Sequence, residues 1–108
     1  MPYSYYAFEA VESPVRLIKV ATAALNQTPL DWDGNRARIA AAIGEARTRG
    51  ASVLCLPELC ITGYGCEDAF HAPGTHRLAW QQLKSLLPET KGMAVCLGLP
   101  VEHSGALF

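Results

Sequence analysis

The chain lacks a charge imbalance. Nine Lys plus Arg stand against ten Asp plus Glu, a formal net charge of -1 over 108 residues. Nucleic acids and anionic membranes are recognised by clustered positive charge, so neither partner is expected. A long apolar run near the start is also missing. Met1-Pro2-Tyr3-Ser4-Tyr5-Tyr6 has no basic residue and is followed by Glu9 and Glu12, which argues against a secretory signal or membrane helix and for a cytoplasmic protein. In that setting the glycosylation pattern Asn26-Gln27-Thr28 is a chance match. Close cysteine pairs are absent too. Cys55, Cys60, Cys66 and Cys96 form no Cys-x-x-Cys, and His71, His76 and His103 offer no i, i+4 pair, so no metal centre or redox motif is expected. Cys55 and Cys96 lie inside apolar runs and read as reduced thiols in strand cores. No repeat, low-complexity tract or linker divides the chain.

What is present is an apolar half, 50% of the residues, which suits one soluble globular unit. Residues 1–14 show no period and end at Pro14, as a leader would. Arg16 to Leu25 is a mostly apolar, partly β-branched run that predicts a buried strand. Asp33 can cap a helix in which Ile39, Ala42, Ile43 and Ala46 fall at i, i+3, i+4 and i+7, and Gly50 ends it. Ala51 to Leu56 predicts a second strand, giving a parallel βαβ unit. Pro57 to Gly74 predicts a long loop with one helical turn near Glu67 to Phe70, and loops of that length are usually functional. A second helix is predicted over His76 to Leu87, with Trp80, Leu83 and Leu87 on its apolar side and Pro88 closing it. Gly92 to Val101 predicts a third strand. Ala106-Leu107-Phe108 ends without cap or polar tail, as expected of a piece of a larger domain.

Pro57 keeps Leu56 extended and delivers Glu58 just beyond the carboxyl end of a buried parallel strand, where α/β sheets bind ligands. Flanking Leu56, Leu59 and Ile61 would partly desolvate the carboxylate, raise its pKa and suit it to act as a general base. A loop glutamate that caps a helix or faces water fits the same position, and local physics does not choose between the two. Gly63 and Gly65 lack the spacing of a phosphate-binding loop. Cys60 and Cys66 lie near Glu58 but lack the strand-to-helix elbow that aims a nucleophile.

Leu56-Pro57-Glu58-Leu59, then Thr62-Gly63-Tyr64, preceded by a strand, a helix and Arg49-Gly50-Ala51-Ser52-Val53-Leu54-Cys55, resembles the signature around the catalytic glutamate of the nitrilase superfamily. The resemblance runs from Val20 through Asn35 to Gly98-Leu99-Pro100. It implies an α/β fold, residues 15–108 being the N-terminal portion of a carbon-nitrogen hydrolase domain built as a four-layer αββα sandwich. Glu58 would be the general base that activates a cysteine thiol, with a lysine stabilising the oxyanion. Neither the cysteine nor the lysine matches a position here. Both would lie beyond Phe108, and the chain alone is expected to be inactive.

Gly65-Cys66-Glu67-Asp68-Ala69-Phe70 resembles most the branch formed by the glutamine-dependent NAD synthetases. That implies glutamine as the amide substrate, Tyr64 in the amide pocket, ATP and magnesium in a separate synthetase domain only, and a homo-oligomeric enzyme. Tyr64 could equally be a partly buried aromatic that anchors the loop. Glu67 and Asp68 are adjacent and do not face each other as an acid/base pair would, so they read as solvated or as helix N-terminal charges. Two rivals remain: an aliphatic or carbamoyl amidase using the same Glu58, and a non-catalytic α/β piece that associates through an exposed sheet edge.

Overall fold

A computed structural model of the chain describes residues 15–108, so the expected leader lies outside the described residues. In order they form β1 (Val20–Thr22), α1 (Trp32–Thr48), β2 (Val53–Cys55), a 3-10 turn (Glu67–His71), α2 (Pro73–Leu86), a second 3-10 turn (Leu87–Thr90), β3 (Ala94–Cys96), β4 (Glu102–His103) and β5 (Ala106–Leu107). β1, β2 and β3 make a parallel sheet in that order, with β2 central. This is the mixed α/β architecture expected, with each crossover made through a helix.

Side chains alternate across the sheet. The row Ala21, Leu54, Val95 faces the helices and joins Ile39, Ile43, Ala46, Ala79 and Leu86 in the core. Val20, Thr22, Cys55, Ala94 and Cys96 point the other way and are exposed. Here the expectation of uniformly buried strands fails. The regular strands are three residues each, and Val15, Leu17 and Ile18 are exposed. The helices cover one face, and no described residue covers the other. For the same reason Cys55 and Cys96 are exposed, not in strand cores, while Cys60 and Cys66 are buried; all four thiols are free.

Helix α1 is capped by Asp31, whose carboxylate accepts from Gly34 N at 3.1 Å, and not by Asp33, which sits in the first turn where its charge suits the helix dipole. Ile39 and Ile43 are 0% exposed, each burial stabilising by roughly 1.5–3 kcal/mol. The helix stops at Thr48. Gly50, at φ +76°, reverses the chain so that Ala51 N donates to Ala46 O, as the C′ glycine predicts.

Helix α2 starts three residues earlier than expected because Pro73 takes a first-turn position that needs no N–H donor. Its buried stripe is Thr75, His76, Ala79 and Leu86, with Leu83 beside it; Trp80 and Leu87 are exposed, contrary to the predicted face. The helix ends at Leu86, just before Pro88 as expected, and Pro88 lies in the second 3-10 turn. A β4–β5 hairpin closes the described residues where no strand was expected. Ser104 (φ 51°) and Gly105 (φ 77°) form the left-handed pair of a two-residue turn, and Val101 and Phe108 exchange backbone hydrogen bonds of 2.8 Å. Buried His76 ties this hairpin to α2, with Nδ1 3.2 Å from Glu102 and Nε2 against the Phe70 carbonyl.

Candidate active site

β2 is prolonged by one ladder bond, Leu56 N to Cys96 O at 2.8 Å. Pro57, which has no N–H to continue the ladder, then breaks the strand. The chain turns at once: Cys60 N donates to Pro57 O at 3.2 Å and Gly63 N to Leu59 O at 2.8 Å. Glu58 therefore stands at the head of a tight turn, three residues past the carboxyl end of the central strand.

Three consecutive carbonyls of this turn are each met by a donor from the β1–α1 connection or the start of α1. Cys60 O accepts from Gln27 Nε2 at 2.6 Å, Ile61 O from Asn35 Nδ2 at 3.1 Å, and Thr62 O from Leu30 N at 2.8 Å. Asn35 is 0% exposed, and its amide is fully used: Nδ2 also reaches Thr28 O, while Oδ1 accepts from Thr28 N and from Arg38 Nη2. Gln27 in turn gives Nε2 to Asn35 O and takes Arg38 Nε at 2.7 Å on Oε1. Buried polar groups are tolerated when satisfied in this way. Gly63, at φ +78°, completes the fit: a Cβ there would lie 2.9 Å from the Thr28 carbonyl.

On its other side the turn rests on the end of β3. Ile61 N donates to Gly98 O at 3.3 Å. A Cβ built on Gly98 would overlap the Glu58 carbonyl group and come within 2.7 Å of its Cα. The backbone of Glu58 is thus held from two sides.

The side chains correct the expected picture. Glu58 is exposed, not desolvated. The turn sends Cys60, Ile61 and Thr62 into the core beneath it, and the half-buried Leu56 and Leu59 leave Glu58 accessible. Tyr64 is 52% exposed and does not anchor the loop, a task done by backbone and side-chain amides. Glu67 and Asp68 occupy the first turn of the 3-10 segment and are exposed, as their adjacency predicted. Cys60 donates weakly to Gly98 O and burial pushes its thiol pKa up; Cys66 faces the carbonyls of Thr62 and Gly63. A buried thiol held in the protonated form is a poor nucleophile. Lys91 precedes β3 and so lies at the end of the parallel sheet opposite Glu58. A groove of about 460 Å³ between β1 and α1, lined among others by Ala21, Ala23, Arg38 and Ala42, includes neither Glu58 nor Tyr64.

The sequence by itself gives Gln27 and Arg38 no role, and Asn35 only a place along the family resemblance. One signal was available: Asn35 lies four residues before Ile39 and eight before Ile43, a polar residue on the apolar stripe of α1.

Residues 19–108 match the family described as carbon-nitrogen hydrolase. The chain is 45% identical over 89 residues to a glutamine-dependent NAD(+) synthetase of Arabidopsis thaliana, covering 81% of this chain and 12% of that one. It is 42% identical over 95 residues to that of Homo sapiens, covering 86% and 14%. The crystal structure of a glutamine-dependent NAD(+) synthetase from Cytophaga hutchinsonii superposes with a TM-score of 0.82 at 42% identity, over 84% of this chain and 16% of that one. The chain therefore spans about an eighth of the length of the relatives it matches. Since the match takes in the sheet, α1 and the Glu58 turn together, this chain belongs to the carbon-nitrogen hydrolase family.

Proposed function

We propose that this chain is part of a glutaminase that hydrolyses the side-chain amide of glutamine to glutamate and ammonia, the ammonia being used to amidate nicotinic acid adenine dinucleotide in a second, ATP- and magnesium-dependent active site. The observation that carries the reading is Glu58, fixed from two sides just past the carboxyl end of the central strand of a carbon-nitrogen hydrolase fold. The relatives named as glutamine-dependent NAD(+) synthetases support the choice of amide.

In this reaction a cysteine thiol attacks the amide carbonyl while Glu58 takes its proton, which then leaves with ammonia. Water, activated by the same carboxylate, cleaves the thioester to give glutamate. A lysine stabilises the oxyanion formed in each half. The thiol and the lysine are contributed by residues other than those of this chain, in which the two cysteines that follow Glu58 most closely, Cys60 and Cys66, are buried. Exposure of Glu58 and Tyr64 leaves both free to meet substrate, and Tyr64 lines the amide pocket.

The test is Glu58→Gln in the full-length protein. Glutamine-fed synthesis should fall about a hundredfold to ten-thousandfold, the usual worth of a general base, while synthesis fed with free ammonia stays within about twofold. Equal loss of both activities, or loss of neither, would remove Glu58 from this role.

A further inference from the structure

The structure assigns to Gln27 and Asn35, oriented by Arg38, the task of positioning Glu58; the inference rests on Glu58 being the base proposed above. No hydrogen bond or ion pair joins Glu58 to any of the three. They act through the turn, by holding the carbonyls of Cys60 and Ile61.

The orientation of both amides is enforced. A guanidinium can only donate, so Arg38 Nε must face Gln27 Oε1, and this turns Nε2 towards Cys60 O. Arg38 Nη2 likewise faces Asn35 Oδ1, which turns Nδ2 towards Ile61 O. Either amide flipped would set an oxygen against a carbonyl oxygen and an N–H against a cation. Asp31, at the helix cap, holds the same guanidinium at 3.4 Å. Arg38 thus fixes two donors at once, and the two donors fix successive residues of the turn that begins with Glu58.

The site needs such a device. Glu58 stands outside the regular strand ladder with an exposed side chain, so its position depends on what holds the turn beneath it. Misplacing a catalytic group by about 1 Å can cost a hundredfold in rate. Gln27 lies outside every helix and strand and is only partly buried, so its amide can be removed without opening the core.

Gln27→Met keeps the length of the side chain and removes the amide; Asn35→Asp keeps the acceptor and removes the donor to Ile61 O. In the full-length protein both should lower kcat for ammonia release from glutamine about tenfold to a hundredfold, leave KM for glutamine within about twofold and spare ammonia-fed synthesis. Combined with Glu58→Gln, Gln27→Met should cost less than about twofold more, because a positioning residue has no effect once the group it positions is gone. Full additivity in that background, or equal loss of ammonia-fed activity, would overturn the proposal. Amide hydrogen exchange provides a readout free of any assumed activity. Gln27→Met should speed exchange across Cys60 to Gly63 about tenfold or more and leave Ile43 and Leu54 unchanged; unchanged exchange at the turn would overturn the clamp itself. If the clamp passes but Glu58→Gln leaves glutamine turnover intact, the base assignment fails instead.

Discussion

Gly98 and Glu58 are in backbone contact: the place a Cβ would take on Gly98 is filled by the carbonyl group of Glu58. No rotamer change can relieve this, since the obstructing atoms are main chain. Gly98→Ala should push the Glu58 turn off β3, lowering stability by about 1–3 kcal/mol as overpacking does. Thermal unfolding measures the loss, and amide exchange at Ile61, which donates to Gly98 O, should rise with it. A midpoint equal to that of the parent would show that the contact is looser than the structure has it.

Asp31 caps α1 and also meets Arg38. The cap is the larger effect, because an ion pair 38% and 44% exposed is screened by water and adds little. Asp31→Ala should cost about 1 kcal/mol, whereas Asp31→Asn, which keeps a capping oxygen, should cost a few tenths at most. Denaturant midpoints of the two variants would separate the cap from the charge; equal losses would make the charge dominant.

Thiol reactivity should divide the cysteines two and two. In the 108-residue chain Cys55 and Cys96 are exposed and Cys60 and Cys66 buried, so a maleimide at neutral pH should label the first pair before the second. Peptide mapping after short exposure gives the order. Early labelling of Cys60 would mean that the turn opens readily.

Cys60 also predicts an alkaline limit. Burial raises its pKa above the ordinary thiol value of about 9, so between that value and the folded one the unfolded chain has lost a proton that the folded chain retains. Stability is then complete below pH about 9 and falls as pH rises further. Cys60→Ala should flatten the fall above pH about 9 in denaturant titrations, whatever its effect at neutral pH. An unchanged slope would place the alkaline sensitivity elsewhere.

The elements that could be read from sequence are those whose signals are local. Ile39, Ile43 and Ala46 mark α1 by period, Gly50 marks its end, and the apolar run before Pro57 puts Glu58 past a strand end. The face of α2 was misread because its buried stripe holds Thr75, His76 and Ala79, residues of little or no hydrophobic weight, while Trp80 and Leu87 lie outside it. The β4–β5 hairpin went unseen although Ser104-Gly105 is a turn signal, since two-residue strands carry too short an alternation. At the site the position of Glu58 was legible and its exposure was not. Nor was the network of Gln27, Asn35 and Arg38, because hydrogen bonds between a helix start and a turn more than twenty residues away leave no periodic trace.

A connection between a strand and a helix is ordinarily where a chain tolerates a change of length. The β1–α1 connection cannot. Gln27, Thr28, Leu30 and Asp31, with Asn35 at the start of α1, each place a donor or acceptor on a partner at a fixed offset. A residue inserted between Thr28 and Asn35 would put these offsets out of step, leaving the carbonyls of Cys60, Ile61 and Thr62 to be satisfied by water or not at all. The segment works as a ruler whose marks are hydrogen bonds, and what it measures is the height of Glu58 above the sheet.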